Sequence, residues 1–149
     1  RPAAMRGVVH RLPGGATVID DSYNSNPDAL RRALESAALL PAERRLAILG
    51  DMLELGPEGP EFHREAGKQA AALGFSPVVG VGELARELVA GAEELDADTE
   101  WFEEVTEAAE WAPGVLRPGD LVLVKASRGV GLDAVVRALL AAAASEVER

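Results

Sequence analysis

The sequence predicts an α/β fold: a three-layer, Rossmann-like sandwich whose sheet is mostly parallel, with an antiparallel hairpin strand at the amino terminus. Three observations point there. After a first hairpin, short apolar runs alternate with stretches of helical periodicity, the pattern of right-handed βαβ units. The runs Leu46–Leu49, Val78–Val81 and Leu121–Val124 are apolar at nearly every position, as strands covered on both faces must be. The helical stretches between them carry one apolar stripe each, as helices laid on a sheet do.

Taken in order, Gly7–Leu12 and Ala16–Ile19 read as two short strands, and Pro13-Gly14-Gly15 between them is turn chemistry, so they form a hairpin. Asn26 is placed to cap a helix with Pro27 at its first position. Ala29, Leu30, Ala33, Leu34, Ala37 and Ala38 then follow at helical spacing until Pro41 ends the run. A strand over Leu46–Leu49 leads into the loop Gly50–Gly56 and a helix from about Glu61 to Leu73. Val78–Val81 is a further buried strand, with a helix over Glu83–Val89. Trp101-Phe102 reads as a short edge strand, followed by a helix from Val105 to Trp111. The turn Arg117-Pro118-Gly119-Asp120 opens the strand Leu121–Val124, and a last helix covers about Leu132–Ala144, with fraying expected from Ser145.

At 149 residues the chain has the size of a single domain, 1–149. No apolar run approaches the roughly 20 residues that cross a bilayer, and no basic-then-apolar leader precedes the first strand. The absence of cysteine excludes disulfides and thiolate metal sites, and fits a reducing compartment. A net charge of −10 argues against nucleic acid as a partner. Two histidines, His10 and His63, do not make a metal centre. The chain also lacks a phosphate-binding G-x-x-x-x-G-K-[ST] loop, a G-x-G-x-x-G fingerprint, a G-x-S-x-G elbow and a cysteine nucleophile. It therefore offers groups that bind and none that obviously drive a reaction.

The scarce polar side chains sit after three strands. The only tyrosine and both asparagines fall at Tyr23, Asn24 and Asn26, where a small polar ligand would be held. Asp20 and Asp21 are adjacent, so in an extended segment they face opposite ways; one can be structural while the other accepts from hydroxyls or an ammonium group. The second loop brings Asp51 and Glu54, with His63 on the helix behind it. The third brings Lys125, Ser127 and Arg128 before a helix start, a combination suited to a carboxylate or phosphate. Lys125 ends an apolar strand, a costly place for an unpaired charge; the blander reading pairs Lys125 and Arg128 with loop acids such as Asp51. Similarly, Asn26 is a helix cap before it is a ligand, His63 reads equally as core, and Trp101 and Trp111 read as packing. Parallel strands point their carboxyl ends one way, so the three loops should meet on one rim, where such sheets bind ligands.

At these loops the chain resembles the carboxyl-terminal domain of the Mur ligases, and within that family the branch that adds D-alanyl-D-alanine. The family pattern is D-D-S-Y-N-A-N-P after a strand, then L-G-D-M-x-E-L-G with a histidine several residues on, then V-K-G-S-R before the last helix. This chain has Asp20 to Pro27 with Ser25 for alanine, Leu49 to Gly56 followed by His63, and Val124 to Arg128 with Ala126 for glycine; Leu132-Asp133 stands where Met-Glu is usual. The likeness extends from about Met5 to Leu140.

The resemblance implies a cytoplasmic, monomeric three-domain ligase of peptidoglycan precursor synthesis. That enzyme activates UDP-N-acetylmuramoyl-tripeptide with ATP and Mg2+ and joins it to D-alanyl-D-alanine. It further implies that this part closes over a central ATPase domain, which binds ATP and Mg2+, and that the chain alone is inactive, with no catalytic residue and no metal ligand. On the nucleotide side it places Arg6, Asp21, Asn24 and Asn26. On the dipeptide side it places Ser25, Asp51, Lys125, Ser127 and Arg128, with Tyr23, Glu54 and His63 as further candidates. Two alternatives stay open: a stand-alone module that binds a small zwitterion or nucleotide, and a sister ligase of the same fold that adds another amino acid.

Overall fold

Turn chemistry, apolar alternation and capping each leave a visible mark on the chain path. The computed structural model describes residues 7–147. In chain order the elements are β1 (Val8–Arg11), β2 (Thr17–Asp21), α1 (Pro27–Ala38), β3 (Arg44–Gly50), α2 (Gly59–Ala72), β4 (Phe75–Val81), α3 (Ala85–Glu93), β5 (Thr99–Phe102), α4 (Val105–Trp111), β6 (Asp120–Lys125) and α5 (Asp133–Val147). Among the described residues six strands make one sheet in the order β1-β2-β6-β3-β4-β5. Only β1 runs antiparallel, paired to β2 through the expected hairpin; β2, β6, β3, β4 and β5 are mutually parallel.

Alternation along the strands assigns each helix to a layer. Ile19, Ala47, Leu49, Leu121 and Leu123 point to one face, where they pack with Leu30 and Leu34 of α1, Ala66 and Ala70 of α2, and Leu88 and Ala92 of α3. Val18, Leu46, Ile48, Val122 and Val124 point to the other, against Ala108 of α4 and Val135, Val136 and Leu139 of α5. Each fully buried Val, Leu or Ile side chain stabilises the sandwich by about 1.5–3 kcal/mol, and each alanine by less. The result is the expected three-layer arrangement.

Several elements are longer than their apolar stretches suggest. β2 continues through Asp20 and Asp21, because both residues stay in register with Val124 and Lys125 of β6. β3 begins at Arg44, whose neighbour across the sheet is Asp120. There the guanidinium donates to both carboxylate oxygens, at 3.0 and 2.6 Å. The hydrogen bond to Asp120 raises the Arg44 guanidinium above its ordinary value. Thus an ion pair carries the strands past the apolar stretch. α3 starts two residues later than expected, at Ala85, since Glu83 lies in the turn after Gly82. The last helix is not frayed at Ser145 but runs to Val147, in keeping with the high helix propensity of its alanines.

Two glycines explain how closely α2 and α3 pack. A Cβ on Gly67 would lie 1.8 Å from the carbonyl oxygen of Leu88, and one on Gly91 would lie 2.0 Å from that of Arg64. Backbone therefore meets backbone, and no side chain fits between. Arg64 joins the helices further at the surface, 2.7 Å from Glu94 and 3.4 Å from Glu87, pairs that contribute little individually. Replacing Gly67 by alanine is expected to lower unfolding stability by about 2 kcal/mol or more, read as a reduced midpoint in urea denaturation with unchanged slope.

At the start of α1, Asp28 hydrogen-bonds Arg31 at 2.6 Å and lies 3.2 Å from Arg32. The Arg31 hydrogen bond first, and the charge of Arg32 second, hold the Asp28 carboxyl below its usual value. A depressed carboxyl pKa stabilises the fold above the unfolded-state pKa and loses that contribution as pH falls through the folded value. NMR titration should therefore place the Asp28 midpoint below that of an unperturbed aspartate, and Arg31→Ala should move it upward.

Candidate functional site

The crossover from β2 to β3 passes over β6, which enters the sheet between them only at the end of the chain. Helices α1 and α2 leave the rim on one face of the sheet while α5 leaves on the other. The carboxyl end of β6 is thus a topological switch point, the position at which open α/β sheets bind ligands. Three polar loops border it.

The first loop follows β2. Asp20 is buried, and its Oδ1 accepts from the Ser22 backbone N–H at 3.1 Å and from the Ser22 hydroxyl at 2.6 Å. It holds the turn and faces the α5 layer. Asp21 faces the other way, so the adjacent aspartates divide as their alternation requires. Its Oδ2 accepts from Lys125 Nζ at 2.6 Å, and the same ammonium donates to the Asn24 carbonyl at 2.8 Å. Asn26 Oδ1 accepts from the Ala29 N–H at 2.8 Å with extended backbone at the cap. That cap contributes about 1 kcal/mol to α1. Tyr23 and Asn24 stand exposed at the tip, and Ser25 is buried beneath them. Arg6 lies outside the described residues.

The second loop, after β3, is fastened from three sides. The Asp51 carboxylate accepts from the Ala85 N–H at 2.8 Å, at the start of α3. Gly82 makes room for it: a Cβ there would lie 2.5 Å from Asp51 Oδ1, and its φ of 113° suits glycine alone. His63 is wholly buried; its Nε2 accepts from the Met52 N–H at 2.9 Å while Nδ1 lies 2.6 Å from the Gly59 carbonyl. Those partners set the tautomer, with hydrogen on Nδ1. Ser127 in the third loop completes the fastening, donating its backbone N–H to the Asp51 carbonyl at 3.2 Å and accepting from the Leu53 N–H on its hydroxyl at 2.9 Å. Glu54 projects from this rigid loop with a φ of 62°, a left-handed conformation that is rare for a residue other than glycine.

In the third loop, Ala126 is buried, and a Cβ on Gly50 would come within 2.7 Å of its own Cβ. The alanine that departs from the family pattern is accommodated by a glycine on the neighbouring strand. Arg128 is exposed at the rim. Lys125 does pair with a neighbouring acid, as the blander reading has it, but the acid is Asp21; Asp51 turns to α3 instead. Trp101 packs as the sequence suggests, its Nε1 donating to the Gly82 carbonyl at 2.7 Å and its ring lying 3.7 Å below the Arg86 guanidinium.

All three loops therefore meet on one rim, where Asp21, Asn24, Asp51, Leu53, Lys125 and Ser127 join them by hydrogen bonds. A family model described as "Mur ligase, glutamate ligase domain" matches residues 5–128. The chain belongs to that family. This Mur ligase domain is 37% identical over 143 residues to the UDP-N-acetylmuramoyl-tripeptide–D-alanyl-D-alanine ligase of Synechocystis, covering 91% of the chain and 30% of the relative. It is 37% identical over 149 residues to the ligase of that name from Mycobacterium tuberculosis, covering 85% of the chain and 29% of the relative. Among solved structures, MurF from Thermotoga maritima in complex with ADP superposes with a TM-score of 0.81 at 23% identity, over 98% of the chain and 33% of that structure. MurF from Acinetobacter baumannii gives 0.82 at 24% identity, over 95% of the chain and 31% of that structure. The chain thus spans about 30% of the length of the curated relatives it matches.

The roles of Asp51, His63 and Ser127 in fastening the Mur ligase loops were invisible in the sequence, because their partners are backbone N–H groups. Gly82, four residues after the start of a buried apolar run, was the one available signal. Ser127→Ala removes the acceptor for Leu53. The expected outcome is a loss of about 1 kcal/mol and faster hydrogen exchange at the Leu53 amide, with exchange in the β3 amides unchanged.

Proposed function

We propose that this chain is the closing, amino-substrate-side domain of an ATP-dependent ligase that joins D-alanyl-D-alanine to UDP-N-acetylmuramoyl-tripeptide. In this reaction the γ-phosphoryl group of ATP passes to the tripeptide carboxylate and ADP leaves. The dipeptide amine then attacks the carbonyl carbon, forming the amide bond as phosphate departs. An acyl phosphate must be kept from water, and a domain that closes over it does so.

The observation that carries the reading is the junction of the three motif loops at one switch-point rim that exposes both signs of charge. Glu54 and Arg128 are the exposed acid and base there, matching the ammonium and carboxylate ends of a zwitterionic dipeptide. Ser25 lies with them on the dipeptide side. Asp21, Asn24 and Asn26 face the nucleotide, Asp21 through its capacity to accept from hydroxyls, and Arg6 joins them in the proposal. Tyr23 covers the tip between the two ligands. His63 and Ser127 act on the dipeptide through the loops they hold, while Asp51 commits one oxygen to Ala85 and keeps the other for the dipeptide ammonium. In the proposal Mg2+ accompanies ATP on a central ATPase domain. No helix among the described residues is long and apolar enough to cross a membrane.

The full-length protein supplied with ATP, Mg2+ and UDP-N-acetylmuramoyl-tripeptide should release phosphate only when D-alanyl-D-alanine is added. The 149-residue chain under the same conditions should release none. Phosphate release with glutamate in place of the dipeptide would assign the chain to a sister ligase instead, and turnover by the isolated chain would overturn the closing-domain reading.

A further inference from the structure

We infer that Lys125 is a positioning residue, which presets Asp21 and the Asn24 main chain for the nucleotide and makes no contact with the dipeptide. The inference rests on the proposed function above. Its side chain is 3% exposed, against 17% for the Asp21 side chain it pairs with. Two partners from one loop hold the ammonium, the Asp21 carboxylate at 2.6 Å and the Asn24 carbonyl at 2.8 Å. Lys125 is the register partner of Asp21 on β2 and of Leu49 on β3. It thus emerges under the Tyr23–Asn26 loop and not beyond it. A dipeptide arriving at the rim meets Arg128, which is exposed, before it meets a buried ammonium.

The chemistry of the pair fits a strut. A carboxylate has about four acceptor sites, so Asp21 bonded to Lys125 retains acceptors for hydroxyl donors of the kind a ribose presents. The bond also fixes the direction of those acceptors. In addition the ammonium offsets the Asp21 charge, which would otherwise face a polyanionic nucleotide unscreened. Without Lys125, Asp21 and the Asn24 carbonyl would stand as neighbouring acceptors with no donor between them.

The test uses the full-length enzyme with Lys125→Met, Asp21→Asn and the double variant, reading kcat and both KM values. Each single change should raise the KM for ATP about tenfold, the scale of one charged hydrogen bond. The double variant should be no worse than the worse single, and the KM for D-alanyl-D-alanine should stay within about twofold throughout. Multiplying ATP effects, or a raised dipeptide KM in Lys125→Met alone, would overturn the inference. A second arm needs no turnover: in 15N spectra of the 149-residue chain, Lys125→Met should shift the Asn24 and Ser25 amides, far from it in sequence. Lys125→Arg serves the same reading if the methionine variant does not fold. Shifted amides with no ligase activity in the wild-type enzyme would refute the proposed function alone; unmoved amides would refute the strut.

Discussion

Insertion of β6 between β2 and β3 is the constraint on which the rest of the molecule depends. The strand made last enters the middle of the sheet, buried along its whole length, and its two parallel neighbours were placed long before it in sequence. Right-handed crossovers then leave α1, α2 and α3 on one face and α4 on the other, where α5 joins it. The connections therefore diverge at the carboxyl end of β6, the position at which open α/β sheets bind ligands. Burial drives this arrangement, and its by-product is a rim along which three polar loops start side by side.

Polar chemistry then makes that rim rigid. Backbone groups that leave a sheet edge without partners must find them, and here side chains from other loops supply them. Asp51 reaches the start of α3, His63 reaches back to Met52, Ser127 bridges to Leu53, and Lys125 reaches both Asp21 and Asn24. The His63 bond ties α2 back to the loop that precedes it, and the others cross from one βα connection to another. The exposed groups that remain, Tyr23, Asn24, Glu54 and Arg128 among them, therefore stand on a frame with little freedom of its own. The closing role proposed for this domain would benefit from that division, since the domain could move as a body without its contact groups losing their relative positions.

Much of the fold was legible because its determinants are local. The apolar runs of β3, β4 and β6, the Pro-Gly-Gly turn and the Asn26-Pro27 cap each depend on a few consecutive residues, and each appears where the sequence puts it. The spans were less legible. Asp20, Asp21 and Lys125 belong to strands that an apolar pattern would have ended earlier, because ladder pairing and an ion pair extend them. The Arg44–Asp120 contact lengthens β3 and β6 at the opposite end for the same reason. At the site, convergence of the loops followed from strand direction alone, whereas the partners of Lys125, Asp51 and His63 did not. A charge at the end of an apolar strand announces that it needs a partner, and Asp21 and Asp51 were equally near candidates on chemistry.

By itself the sequence determined the layer architecture, the strands and helices, and which residue types crowd the three loops, since periodicity and turn chemistry act over a few positions. Tertiary structure alone decided that Lys125 meets Asp21, that Asp51 turns to α3, and that His63 and Ser127 serve backbone amides. Those choices depend on distances between residues remote in the chain, which strand order and register set and no local pattern encodes.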